Sequence, residues 1–161
     1  MADETSKQEE PIELGQLDHT TGFLVRRLHN SLVSSWKADI VGPASLITPV
    51  QAGVLILIAE NPGVMQARLL KVLDVESATL VKSITRLAEF GYIERVRNPD
   101  DKRAFHLYLT PSGQEALKFV AAKMREREEG LRTSIDPAEY EVFRKVLLQL
   151  IRSRLKTATW L

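Results

Sequence analysis

The 161-residue chain contains no cysteine. That excludes disulfides, thiolate zinc sites and sensing by cysteine oxidation, and it fits an expected cytoplasmic location. Aromatic residues make up only 6% of the chain, so aliphatic side chains must do most of the packing. Long apolar runs are missing as well. The longest, Val54 to Ala59, falls far short of the ~20 residues a bilayer span needs, and no membrane partner is expected. The opening stretch MADETSKQEE is polar and acidic, unlike a signal peptide. His19, His29 and His106 are scattered, and no set of His, Asp and Glu has metal-ligand spacing on one helix. No glycine-rich phosphate loop and no nucleophile–base pair is visible. Neither catalysis, nor a metal, nor a cofactor is therefore expected.

What is present is ordinary for one folded domain: 44% hydrophobic and 27% charged residues. The net charge of +1 looks unpromising for a nucleic-acid binder. Its distribution is more informative. Residues 1–18 carry six acids against Lys7, a balance of −5, which leaves +6 on the remainder. Residues 1–16 are read as an acidic flexible tail, and 17–161 as a single domain.

Residues 17–40 read as a long helix, with Leu17, Leu24, Leu28 and Leu32 on one stripe and Phe23, Val33, Trp36 and Ile40 broadening it; Gly42-Pro43 ends it. Thr48-Pro49 pairs a hydroxyl cap with proline at the first helical position. The helix it opens runs to Ala59 with Val50, Val54, Leu57 and Ile58 as its core face. Asn61-Pro62-Gly63 is a turn. A short amphipathic helix from Met65 to Val72, a break at Leu73-Asp74-Val75 and a longer helix from Glu76 to Phe90, stopped by Gly91, make a helix-turn-helix. The period then changes from helical to alternating. Strands at Tyr92–Arg97 and Phe105–Leu109 flank the turn cluster Asn98-Pro99-Asp100-Asp101. Thr110-Pro111 opens a helix to about Glu129, and Asp136-Pro137 another to about Arg154.

A hairpin directly after a helix-turn-helix is a winged helix. The fold class expected is mainly α with a small β-wing: a DNA-binding lobe over 48–110, with dimerisation helices at 17–40 and 111–161. The second helix of the pair suits the major groove of double-stranded DNA, and a basic hairpin tip suits the narrow, negative minor groove. Ser77, Ala78, Thr79, Lys82 and Ser83 lie at the exposed start of the recognition helix, while Leu80, Ile84 and Leu87 hold it to the core. Arg86 lies deeper, able to reach a phosphate or to pair with an acid. In the wing, Arg95, Arg97, Lys102 and Arg103 surround the turn, and Asp101 is close enough to Arg103 to orient its guanidinium.

These stretches resemble the MarR (multiple antibiotic resistance regulator) family. The segments that carry the likeness are ITPVQAGVLILIAENPG and SATLVKSITRLAEFGYIERVRNPDDKRAFHLYLTPSG. The most specific elements are Arg-Leu-x-x-x-Gly-Tyr-Ile, the Asp-x-Arg of the wing and Leu-Thr-Pro-x-Gly. The resemblance implies a homodimeric, sequence-specific regulator. It places Ser77, Thr79, Lys82 and Ser83 in the major groove and Arg103, held by Asp101, in the minor groove. The family usually has glycine where this chain has Asp74, a residue that still tolerates a left-handed backbone. At the recognition-helix cap the family has aspartate or serine, whereas Glu76 stands here, so Ser77 is the alternative cap.

The family's effectors commonly bind between the first helix, the second helix and the DNA-binding lobe, and are often aromatic acids, phenols or their thioesters. Arg26, Arg27, His29 and Trp36 on the first helix are the corresponding candidates: cations for a carboxylate, an indole for a ring. Against this, both arginines can be surface charges and Trp36 part of a dimer core. The implied function is a repressor released from a pseudo-palindromic operator by such a small molecule. The alternatives are a winged-helix DNA-binding protein without an effector and a winged-helix protein-interaction module. Dimerisation is also expected because Tyr140, Phe143, Leu147, Leu150 and Leu155 would otherwise form a large exposed apolar patch.

Overall fold

The structure is a computed structural model that describes residues 12–39, 46–98 and 104–154, the side chains of 37–39 excepted. Six α-helices and three short strands occur among the described residues. The chain divides into two compact units, Met1–Ser35 and Trp36–Leu161.

The described part of the first unit is helical. A 3-10 turn at Gly15–His19 precedes helix α1, Thr21–Asp39. The helix expected from residue 17 therefore starts later. Thr20 has an extended backbone, its N–H closes onto the Leu17 carbonyl and its hydroxyl onto that of Gln16, which separates the two elements. Gly15, at the start of the 3-10 turn, has φ +58°; residues 1–11, Ile40 and Gly42-Pro43 lie outside the described residues. Leu24, Val25, Leu28 and Leu32 of α1 are all exposed.

The second unit is built around helix α2, Pro49–Glu60. Its start has the reciprocal cap its sequence announces. The Thr48 hydroxyl accepts from the Gln51 N–H at 3.3 Å, and the Gln51 side chain accepts from the Thr48 N–H at 2.9 Å. The expected core face is only half right. Val54 and Ile58 are buried, but so are Ala52, Leu55 and Gln51, while Val50 and Leu57 are half-buried. A helix apolar on nearly all sides is a central helix, and periodicity cannot choose a face for it.

Strand β1 (Val64–Met65) and helices α3 (Gln66–Leu73) and α4 (Ser77–Glu89) follow. Strands β2 (Ile93–Arg97) and β3 (Phe105–Leu109) then lead to α5 (Pro111–Thr133) and α6 (Pro137–Arg154). The sheet order is β1-β3-β2, antiparallel throughout, with Val64 opposite Leu107 and Arg95 opposite the same residue on the other edge. The hairpin was expected; β1 was not, since two residues leave no alternation to detect. It is held by the Gly63 N–H donating to the Leu107 carbonyl at 2.9 Å and by His106 Nδ1 lying 2.8 Å from the Gly63 carbonyl oxygen.

The core gathers Ile47, Val54, Leu55, Ile58, Leu69, Leu80, Ile84, Leu87, Leu107 and Val120, each fully buried. Trp36 belongs to it. Its indole N–H donates to the Ile47 carbonyl at 2.8 Å, and the Arg127 guanidinium lies 5.6 Å from its ring centre. Tyr140 is a further correction. It is buried and donates to the Glu128 carboxylate, so it is not part of an exposed patch. Phe143, Leu147 and Leu150 of the same helix are exposed, together with Val142 and Val146; Leu155 lies outside the described residues.

Candidate nucleic-acid interface

The turn between α3 and α4 depends on one backbone conformation. Asp74 follows the last residue of α3 with φ 48° and ψ 48°, the left-handed region. Aspartate carries this at modest cost because its short polar side chain can bond locally. Helix α4 then starts at Ser77, with Glu76 extended at the cap position and contributing no side-chain cap. Ser77 is thus the first helical residue and not the cap, and α4 begins one residue later than Glu76.

Leu80, Ile84 and Leu87 are fully buried and anchor α4, as their spacing requires. Burying three aliphatic side chains contributes roughly 1.5–3 kcal/mol each, which makes the helix a rigid presenter of its other face. Ser77, Ala78, Thr79, Val81, Lys82, Thr85 and Arg86 lie on that other face, all exposed. Ser83 does not join them. It is 7% exposed, and its hydroxyl donates to the Thr79 carbonyl at 2.8 Å. The reason is geometric: on the helical wheel Ser83 borders the buried stripe, about 40° from Leu87 and about 100° from Lys82.

Arg86 pairs with an acid. Its guanidinium contacts the Glu89 carboxylate at 3.1 Å and lies 4.6 Å from the Phe90 ring centre, yet its side chain remains about half exposed at 56%. With Thr48, Gln51, Thr79 and Lys82 it lines a surface cleft of about 500 Å³ between the start of α2 and α4. Val50 and the aliphatic parts of these side chains form much of the cleft surface, while the hydroxyls, the Lys82 ammonium and the braced guanidinium are groups of the kind that contact a phosphodiester backbone.

The wing extends the same cationic character. Glu94, Arg95, Val96 and Arg97 are exposed along β2, and the Arg95 guanidinium stacks 4.4 Å above the Phe105 ring. The hairpin is closed at its far end by the Asn98 N–H donating to the Ala104 carbonyl at 3.0 Å. Asp101, Lys102 and Arg103 lie outside the described residues.

Arg26, Arg27 and His29 are exposed, with Arg26 5.9 Å from the Phe23 ring centre. Trp36 is a buried core residue whose indole N–H donates to the Ile47 carbonyl. Among the described residues no group of His, Asp and Glu is arranged to hold a metal ion, and no helix is long and apolar enough to cross a membrane. Sequence reasoning assigned no role to Val81 and Thr85. The available signal was their position on the wheel, off the Leu80–Ile84–Leu87 stripe.

Comparison with known proteins agrees with this geometry. Residues 47–113 match a family model described as a winged helix DNA-binding domain. The chain is 32% identical over 143 residues to a protein assigned to transcriptional regulation of the hcr operon in Thauera aromatica, covering 89% of this chain and 86% of that one. It is 35% identical over 104 residues to the multiple antibiotic resistance protein MarR of Salmonella typhimurium, 65% of this chain and 66% of that one. In fold it is similar to the transcriptional repressor CouR bound to a 23-mer DNA duplex, with TM-score 0.77 and 24% identity, over 87% of this chain and 98% of that one. With a helix-turn-helix, a basic wing and a relative matched over most of the chain in agreement, the chain belongs to the MarR family of winged helix-turn-helix proteins, which are DNA-binding transcription regulators and not enzymes.

Proposed function

We propose that the protein acts as a homodimeric repressor that binds a pseudo-palindromic operator and is released from it by a small aromatic acid, phenol or acyl thioester. The observation that carries the dimer is the apolar stripe on α6. Val142, Phe143, Val146, Leu147 and Leu150 recur at helical spacing and are all exposed, Val142 by 61%. Monomers rarely leave such a strip in water. A two-fold pair would place two α4 helices in successive major grooves, roughly 34 Å apart, with Lys82, Thr79 and Ser77 toward bases or phosphates. Arg86, braced by Glu89, would then meet a phosphate, and Lys102 and Arg103 would sit at the minor groove.

The effector is the finer part of the reading. Its support is the family resemblance and the cationic surface that Arg26, Arg27 and His29 give α1. A carboxylate would be neutralised there.

The deciding experiment combines association state with release. Light scattering should give a dimer at micromolar concentration, and Phe143→Glu should give a helical monomer with strongly reduced DNA affinity. A panel of aromatic acids, phenols and acyl thioesters is then screened by thermal shift. A ligand at one hundred times its dissociation constant should stabilise the protein by about 2.7 kcal/mol and dissociate the DNA complex. A monomeric wild-type chain would overturn the dimer. Binding without loss of DNA affinity would overturn release.

A further inference from the structure

Ala78, Val81 and Thr85 follow one another on α4 at spacings of three and four residues, so their side chains form a continuous line. At about 100° per residue they fall within an arc of roughly 60°, turned well away from the buried stripe of Leu80, Ile84 and Leu87. Val81 is 44% exposed. A branched apolar side chain there adds nothing to the core and is a poorer helix former than alanine or leucine. It lies on the exposed part of α4, where Ser77, Thr79, Lys82, Thr85 and Arg86 carry hydroxyls or a positive charge.

What α4 lacks sharpens the point. It contains no Asn or Gln, the side chains that pair at two points with adenine, and its one arginine is engaged by Glu89 and Phe90. Toward base edges the helix can therefore present the Lys82 ammonium, a few hydroxyls and the methyl groups of Ala78, Val81 and Thr85. In the major groove one base group is recognised by contact with a methyl surface, the C5-methyl of thymine. We infer that this methyl ridge reads thymine, and that Val81 is a specificity-determining residue for at least one thymine in each half-site. The inference rests on α4 entering the major groove as proposed above.

Deoxyuridine tests it, because it differs from thymidine only in lacking that methyl. A duplex is selected from a randomised pool with the full-length protein, and each thymine is replaced singly by dU. At one position per half-site the replacement should weaken wild-type binding about fourfold, which corresponds to the ~0.8 kcal/mol of one buried methylene-sized group. Val81→Ala should bind the T and dU duplexes equally at that position, while Lys82→Ala should bind more weakly overall and keep the full dU penalty. A dU scan without effect, with Lys82→Ala still impaired, overturns the inference and leaves the major-groove reading standing. A dU penalty that persists in full in Val81→Ala also overturns it. If Lys82→Ala and Val81→Ala both bind as wild type and the scan is silent, the major-groove reading itself fails.

Discussion

Gly113 offers the sharpest test of how the DNA-binding lobe is joined to α5. Thr110 caps that helix, its hydroxyl accepting from the Gly113 N–H at 3.0 Å and donating to the Gly91 carbonyl at 2.5 Å. The Thr110 N–H donates to the Tyr92 carbonyl at 3.0 Å. Gly113 packs against that same carbonyl: a Cβ there would lie 1.9 Å from the Tyr92 oxygen and 2.8 Å from its carbon. Ordinary contact begins near 3.4 Å, so Gly113→Ala is short by about 1.5 Å against backbone that is already hydrogen-bonded. Overpacking of this kind costs about 1–3 kcal/mol. Separating α5 from Tyr92 also loses one or two hydrogen bonds at about 1 kcal/mol each. The better helix propensity of alanine returns about 1 kcal/mol. A net loss of about 3 kcal/mol is expected, which for a chain of this size lowers Tm by roughly 6–12 °C. Gly91→Ala is the control. Gly91 has φ +71°, and a Cβ added to it would meet nothing within 4 Å, so only the left-handed backbone penalty of about 1–2 kcal/mol applies. Urea and thermal unfolding of both variants measure the difference. If Gly113→Ala is no less stable than Gly91→Ala, the close approach of α5 to Tyr92 is not what holds this joint.

Two further outcomes follow from the wing and from the α5–α6 pair. Arg103→Ala should cost about 1–3 kcal/mol in DNA affinity by titration, and Asp101→Ala should also weaken binding although it removes a negative charge; tighter binding by Asp101→Ala would refute the orienting role. The Tyr140 hydroxyl is held above its ordinary value, first by its hydrogen bond to the Glu128 carboxylate and then by burial. Because the folded value lies above the unfolded one, this contribution to stability is complete below about pH 10 and is lost as pH rises through the folded value. Tyr140→Phe should abolish that alkaline loss, which unfolding curves at about pH 9 and pH 11 would detect.

Much of this fold is written in short local signals. Thr48-Pro49 and Thr110-Pro111 each supply a hydroxyl acceptor and a preset φ within two residues, and both cap helices as expected. Asp74 takes the left-handed turn because few other residues do so cheaply. The Leu80–Ile84–Leu87 stripe faced the core because the rest of α4, Val81 apart, is polar or small, leaving one way to bury it. The outward set Ser77, Thr79 and Lys82 followed from the same wheel. Ser83 did not, because a small hydroxyl satisfied by the preceding turn is as easily buried as exposed.

Periodicity, capping and turn chemistry therefore determined the order of elements, the helix-turn-helix and the wing, since each is settled by residues a few positions apart. Only the tertiary structure decided what depends on distant partners. β1 exists because β3 is there to pair with two residues that show no pattern of their own. Trp36 is core because the Ile47 carbonyl takes its N–H, and Tyr140 is buried because the Glu128 carboxylate takes its hydroxyl. Buried polar groups go where a partner is available, and that partner is not encoded in the residue itself.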